Sequence, residues 1–124
     1  MNFDDYFNLG MNYAMEKDLE KAITNFTKAI ELNPDYAFSY GSRGLAKNIL
    51  NDYLGAIDDF TKAIELNPVY TSVYMERGDA KSDLKDYQGA IDDYSEVLKY
   101  DPENKELLKK RSEANKKLSE PDMD

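Results

Sequence analysis

Cysteine and histidine are both missing from the 124 residues. Without cysteine there is no disulfide framework and no thiolate nucleophile. Without histidine the chain lacks the side chain that most often serves as general base near neutral pH and as metal ligand. No apolar run approaches the ~20 residues that a membrane-spanning helix needs. Basic side chains are outnumbered, 16 against 25 acidic, for a formal charge of −9. That balance disfavours nucleic acid, whose phosphates require Lys or Arg, and it repels an anionic membrane surface. It suits basic partners or simple solubility. The first residues, Met1-Asn2-Phe3-Asp4-Asp5, are acidic where a secretory signal would be basic. A cytoplasmic location is the expectation, and a piece cut from a longer chain would read the same way.

What the sequence does hold is a repeat. Ala22–Pro34 and Ala56–Pro68 are near copies, and Ala90–Pro102 is a third. Pro34, Pro68 and Pro102 are 34 residues apart (68 − 34, 102 − 68), as are Gly10, Gly44 and Gly78, and Ala22, Ala56 and Ala90. Each repeat divides into two helical patterns. Tyr6, Leu9, Gly10, Tyr13 and Ala14 share one helix face by three- and four-residue spacing, and Ala22, Ile23, Phe26, Ala29 and Ile30 share another. Asp18, Asp52 and Asp86 stand where a short carboxylate can accept the open N–H groups of each second helix. The residue before each proline is pushed out of the α region, which ends that helix. Gly10 and Ala22, small on both sides, predict a close helix crossing, with Tyr6 and Phe26 filling the space around it. Helices are predicted near 3–16, 19–32, 37–50, 53–66, 71–84, 87–100 and 104–118.

These residues resemble the tetratricopeptide repeat, whose pattern W-x2-L-G-x2-Y…A-x3-F…P recurs every 34 residues. Tyr6, Leu9, Gly10, Tyr13, Ala22, Phe26 and Pro34 match, with Tyr in the Trp position. The second repeat keeps Tyr40, Gly44, Ala56, Phe60 and Pro68 but carries Arg43 and Lys47 where Leu and Tyr belong. The third keeps Tyr74, Gly78, Ala90, Tyr94 and Pro102, with Arg77 and Lys81 at the same two places. The resemblance implies an all-α, right-handed superhelical solenoid of antiparallel helix pairs, seven helices in all. It would form one domain over 1–119, with repeats 3–36, 37–70 and 71–104. Leu107, Leu108, Arg111, Ala114 and Leu118 would share one face of a capping helix, 105–119. Residues 120–124 are expected to be a disordered tail. A general protein-binding scaffold follows from the family rather than any one activity.

Catalytic, cofactor-binding and metal-binding residues are expected to be absent. Each glycine falls inside a helical repeat, so no phosphate loop exists. The neighbours Asp58-Asp59 and Asp92-Asp93 do not face each other on a helix and are expected to be solvated. Ten tyrosines, most at repeat-equivalent sites such as Tyr40 with Tyr74 and Tyr36 with Tyr70, are expected to pack rather than stack on bases.

In this family the first helix of each repeat lines a concave groove. The residues it would present are Phe7, Met11 and Met15, then Phe38, Ser42, Leu45 and Ile49, then Ser72, Met75, Glu76, Asp79 and Asp83. The groove reads apolar through two repeats and acidic in the third, which suits a partner segment with apolar anchors and basic residues. Members that clamp the acidic tails of heat-shock chaperones place lysines, an arginine and asparagines at positions held here by Phe7, Met11, Ser42, Ser72 and Glu76. None supplies the donor, and a carboxylate clamp is not expected. Two alternatives stand beside the groove-binding module. One is a small acidic chaperone shielding apolar segments of a cargo. The other is a homo-oligomeric scaffold, in which the apolar stripe meets a second copy or a missing repeat.

Overall fold

The computed structural model describes residues 1–120. It contains α1 (Phe3–Met15), α2 (Leu19–Leu32), α3 (Ala37–Ile49), α4 (Tyr53–Leu66), α5 (Thr71–Asp83), α6 (Tyr87–Leu98) and α7 (Lys105–Ser119), with no strand among the described residues. The chain is an all-α helical repeat, and each helix lies within about two residues of its predicted span. Residues 121–124 of the expected tail lie outside the described residues, while Glu120 caps α7.

Local chemistry sets the boundaries. The carboxylates of Asp18, Asp52 and Asp86 accept the backbone N–H of Lys21, Gly55 and Gly89, as their position before each second helix requires. Asn2 and Asp5 form a reciprocal capping box at α1. Asn33 and Asn67, each before a proline, leave the helix with φ of −145° and −142°, outside the α region. The turn inside each repeat holds one residue in the left-handed region: Lys17, Asn51 and Lys85, with φ of 64°, 66° and 66°. They are 34 residues apart, so the turn is copied with the rest of the repeat.

Two compact units divide the chain, Met1–Tyr70 and from Thr71 onward. In the first, α1 packs on α2, α2 on α3 and α3 on α4. Its core is Ala22, Phe26, Ala29, Tyr40, Ala46, Ala56, Phe60 and Ala63. A Cβ built at Gly44 would stand 2.8 Å from the Phe60 ring, so only glycine allows this crossing. In the second unit α5 packs on α6 and α6 on α7. Ala90, Tyr94, Val97, Leu98 and Leu107 form its core, with Tyr74 and Met75 packed against it. Leu107 and Ala114 anchor α7, whereas Leu108 and Leu118, expected on the same face, are exposed.

A candidate protein-binding surface

The acidic pairs differ from expectation. Asp58 and Asp92 are exposed, but Asp59 and Asp93 are only 4% and 2% accessible. Each sits one residue before the aromatic ring at the helix crossing and points at the opposite helix. Asp59 accepts from Arg43 Nε and Nη2 at 2.8 and 2.7 Å, and Lys47 Nζ lies 3.1 Å away. Asp93 accepts from Arg77 at 2.9 and 2.7 Å, with Lys81 at 3.2 Å. The two departures from the repeat pattern are therefore one structural device, a buried carboxylate held by two cations. The hydrogen bonds to the carboxylate, acting against burial, raise the guanidinium groups of Arg43 and Arg77 above their ordinary values. The acids are structural, and no group of His, Cys, Asp or Glu among the described residues could hold a metal ion.

An open apolar surface of the first unit lies on α1 and α3. Met11, Met15, Leu45 and Ile49 form two facing rows at four-residue spacing. With Ala14, Leu19, Phe26, Ser42 and Ala46 they line a groove of about 240 Å³. Met15 is 78% accessible and Ile49 59%, far above what a core contact would leave. Beyond Leu19 the groove gives way to a second, wider cavity lined by Glu16, Lys17, Asp18, Leu19, Glu20 and Leu50. Phe7 and Phe38 do not line this groove, although the Phe7 ring packs 5.8 Å from that of Phe26 beneath it. Phe3, Phe7, Tyr36, Phe38 and Tyr70 form a chain of rings with centroids 5.4–6.3 Å apart, which ties the turn before α3 to the start of α1.

In the second unit Ser72 and Met75 line a separate cavity of about 280 Å³ with Val97, Tyr100, Asn104 and Leu107. Asp79 is already engaged: it accepts from the Tyr94 hydroxyl at 2.7 Å and from Lys110 Nζ at 2.9 and 3.0 Å. Burial raises the Tyr94 hydroxyl above its ordinary value, and the bond to Asp79 adds to this. Glu76 is half-buried. Burial and the charge of Asp79 raise its carboxyl, and Lys110 offsets part of that. Asp83 is exposed at the end of α5. The acidic part of the expected site is thus partly neutralised from within its own unit, by a lysine whose reach across to α5 no sequence period announces.

Antiparallel helix pairs repeated at 34 residues, small residues at each crossing and an open first-helix face define a helical-repeat interaction scaffold. Tetratricopeptide repeat models match residues 4–36, 39–70 and 72–104. The chain belongs to the tetratricopeptide repeat family, whose members are protein–protein interaction modules. It is similar to the first such domain of Spaghetti (RPAP3), solved with the HSP90 peptide SRMEEVD. That match has a TM-score of 0.90 at 26% identity and covers 96% of this chain and 94% of that one. The second domain of human RPAP3, solved with the HSP70 peptide SGPTIEEVD, aligns with a TM-score of 0.82 at 27% identity, over 89% of this chain and 92% of that one. A curated relative, an uncharacterised protein of Methanocaldococcus jannaschii, is 42% identical over 48 residues, which are 39% of this chain. The match spans 56% of that relative's length. Among the described residues no helix is long and apolar enough to cross a membrane.

Proposed function

We propose that the chain is a protein-interaction module that seats a peptide segment of a partner on the α1–α3 face, with apolar side chains of the partner filling the groove. The observation that carries this reading is the groove itself: Met15, Leu45 and Ile49 are exposed and Met11 partly so, around a cavity that Phe26 also lines. Contiguous exposed apolar surface on a soluble domain marks an interaction site. The solved neighbours bind acidic peptides, whereas the positions a carboxylate clamp would use hold Phe7, Met11, Ser42, Ser72 and Glu76 here. This chain takes a partner of a different chemistry. On α5, Met75 and Ser72 line a separate, more polar cavity of their own.

The test compares full-length baits in lysate pull-downs read by mass spectrometry. Proteins captured by the wild type should be retained by Asp58→Lys and lost by Leu45→Asp, with circular dichroism unchanged in both. Retention by Leu45→Asp together with loss by Asp58→Lys would move the site to the opposite face.

A further inference from the structure

The groove has a polarity that its apolar lining alone does not show. Its volume, about 240 Å³, is below the roughly 300–1,000 Å³ of sites built for whole small molecules. It has room for side chains of a larger ligand. Each wall is one helical row, Met11 with Met15 and Leu45 with Ile49, and four residues of helix advance about 6 Å. A partner helix with apolar residues at the same four-residue spacing matches both rows, and the thioether walls adapt to its shape. At Leu19, which lines both cavities, the surface turns acidic: Glu16, Asp18 and Glu20 against the single Lys17. Asp18 is occupied as the cap of α2 and lies 3.7 Å from Lys21 Nζ. Glu16 and Glu20 are exposed and form no ion pair with any described residue. In the other unit, by contrast, Asp79 is already matched by Lys110.

Resting on the reading of the α1–α3 groove as the binding site, we infer that its occupant is an amphipathic helix of a partner protein. The helix carries Lys or Arg next to its apolar stripe and seats those cations against Glu16 and Glu20. The chain's charge of −9 draws such a segment in from a distance. The apolar rows hold it, and the acidic end sets which way it lies.

The probes are alanine-based helical peptides with leucines one turn apart, ending in two lysines or in two glutamates, titrated into the full chain by fluorescence anisotropy. The lysine peptide should bind about tenfold tighter than the glutamate peptide at low salt. The gap should close at high ionic strength, where exposed charges are screened, and invert in the Glu16→Lys, Glu20→Lys double variant. A proline placed mid-peptide should abolish binding, and Leu45→Asp should abolish it for both peptides. Equal affinity for the two charge forms would overturn the inference while leaving the groove in place. So would undiminished binding of the proline peptide, since an extended occupant would then fit as well. Binding unaffected by Leu45→Asp, or no saturable binding of any peptide, would overturn the groove reading with it. Concentration-dependent mass that Leu45→Asp eliminates would assign the groove to a second copy of this chain and would also refute the proposal.

Discussion

The first and second repeats build the same helix crossing in two ways. In the first, the three positions hold Leu9, Tyr13 and Asn25, and the Asn25 amide donates to the carbonyl of Lys21 on its own helix. In the second, the equivalent residues are Arg43, Lys47 and Asp59, locked across the crossing by three short contacts. Glycine and an aromatic ring are common to both: a Cβ at Gly10 would meet Phe26 at 2.6 Å, and one at Gly44 would meet Phe60 at 2.8 Å. The crossing depends on the glycine–ring contact. The three positions around it carry Leu, Tyr and Asn in the first repeat and Arg, Lys and Asp in the second.

Breaking the set should have the largest effect. Asp59→Asn leaves two cations at a crossing with no carboxylate, which should cost about 3–5 kcal/mol. Asn25→Ala in the first repeat should stay within about 1 kcal/mol. Equal losses in denaturant melts would show that the triad is no more than surface decoration. Next, Gly10→Leu and Gly44→Leu should each destabilise by about 1–3 kcal/mol or more through overpacking, because the contact they disrupt is shared. A neutral result at either position would remove the glycine from the account. Transplanting the first repeat's residues as a set, with Arg43→Leu, Lys47→Tyr and Asp59→Asn, should restore stability to within about 1 kcal/mol of the wild type or above it, since buried ion sets often do no better than apolar ones. A loss as large as that of Asp59→Asn alone would mean the two solutions are not interchangeable.

The smallest effect concerns the third repeat, where an acid lies on the first-helix face. Glu76 has a raised carboxyl in the folded state, so the folded chain holds that proton more tightly than the unfolded one. Its contribution therefore falls as pH rises from the ordinary glutamate range through the raised value. Glu76→Gln should gain stability over the wild type across that window, and the gain should level off above it. Thermal melts across pH would refute this if the difference between the two proteins did not change.

Repeat period, helix boundaries and caps were legible in the sequence because each is local: a proline, a glycine or an aspartate acts within a few residues of where it stands. The rows on α1 and α3 were legible for the same reason, since four-residue spacing alone defines a helix row. The ionic crossing was not read, although its parts were visible. Arg43 and Lys47 broke the repeat pattern at the same step in which Asn25 became Asp59. That correlated change, seen again at Arg77, Lys81 and Asp93, was the available signal, and treating adjacent acids as a solvated face concealed it. Lys110 on Asp79 could not be read at all, because it joins two helices at a separation unrelated to the period. Nor could the break in polarity at Leu19, which depends on how a turn and a helix face enclose two cavities.

The arginine series continues past the repeats. Arg43 Nη1 donates to Thr27 in the preceding repeat at 3.2 Å, and Arg111 on α7 donates to Ser95 at 3.3 Å, across the same sixteen-residue interval. Thus α7 keeps the coupling a first helix makes to what comes before it. Each ionic triad, meanwhile, is completed inside its own repeat, so a repeat duplicated whole brings its own counter-charge. The protein is in this sense a cassette system. A designer who appended one more helix after α7, with an aspartate sixteen residues beyond Arg111, would supply the next carboxylate the pattern calls for and could lengthen the molecule without redesigning any earlier part of it.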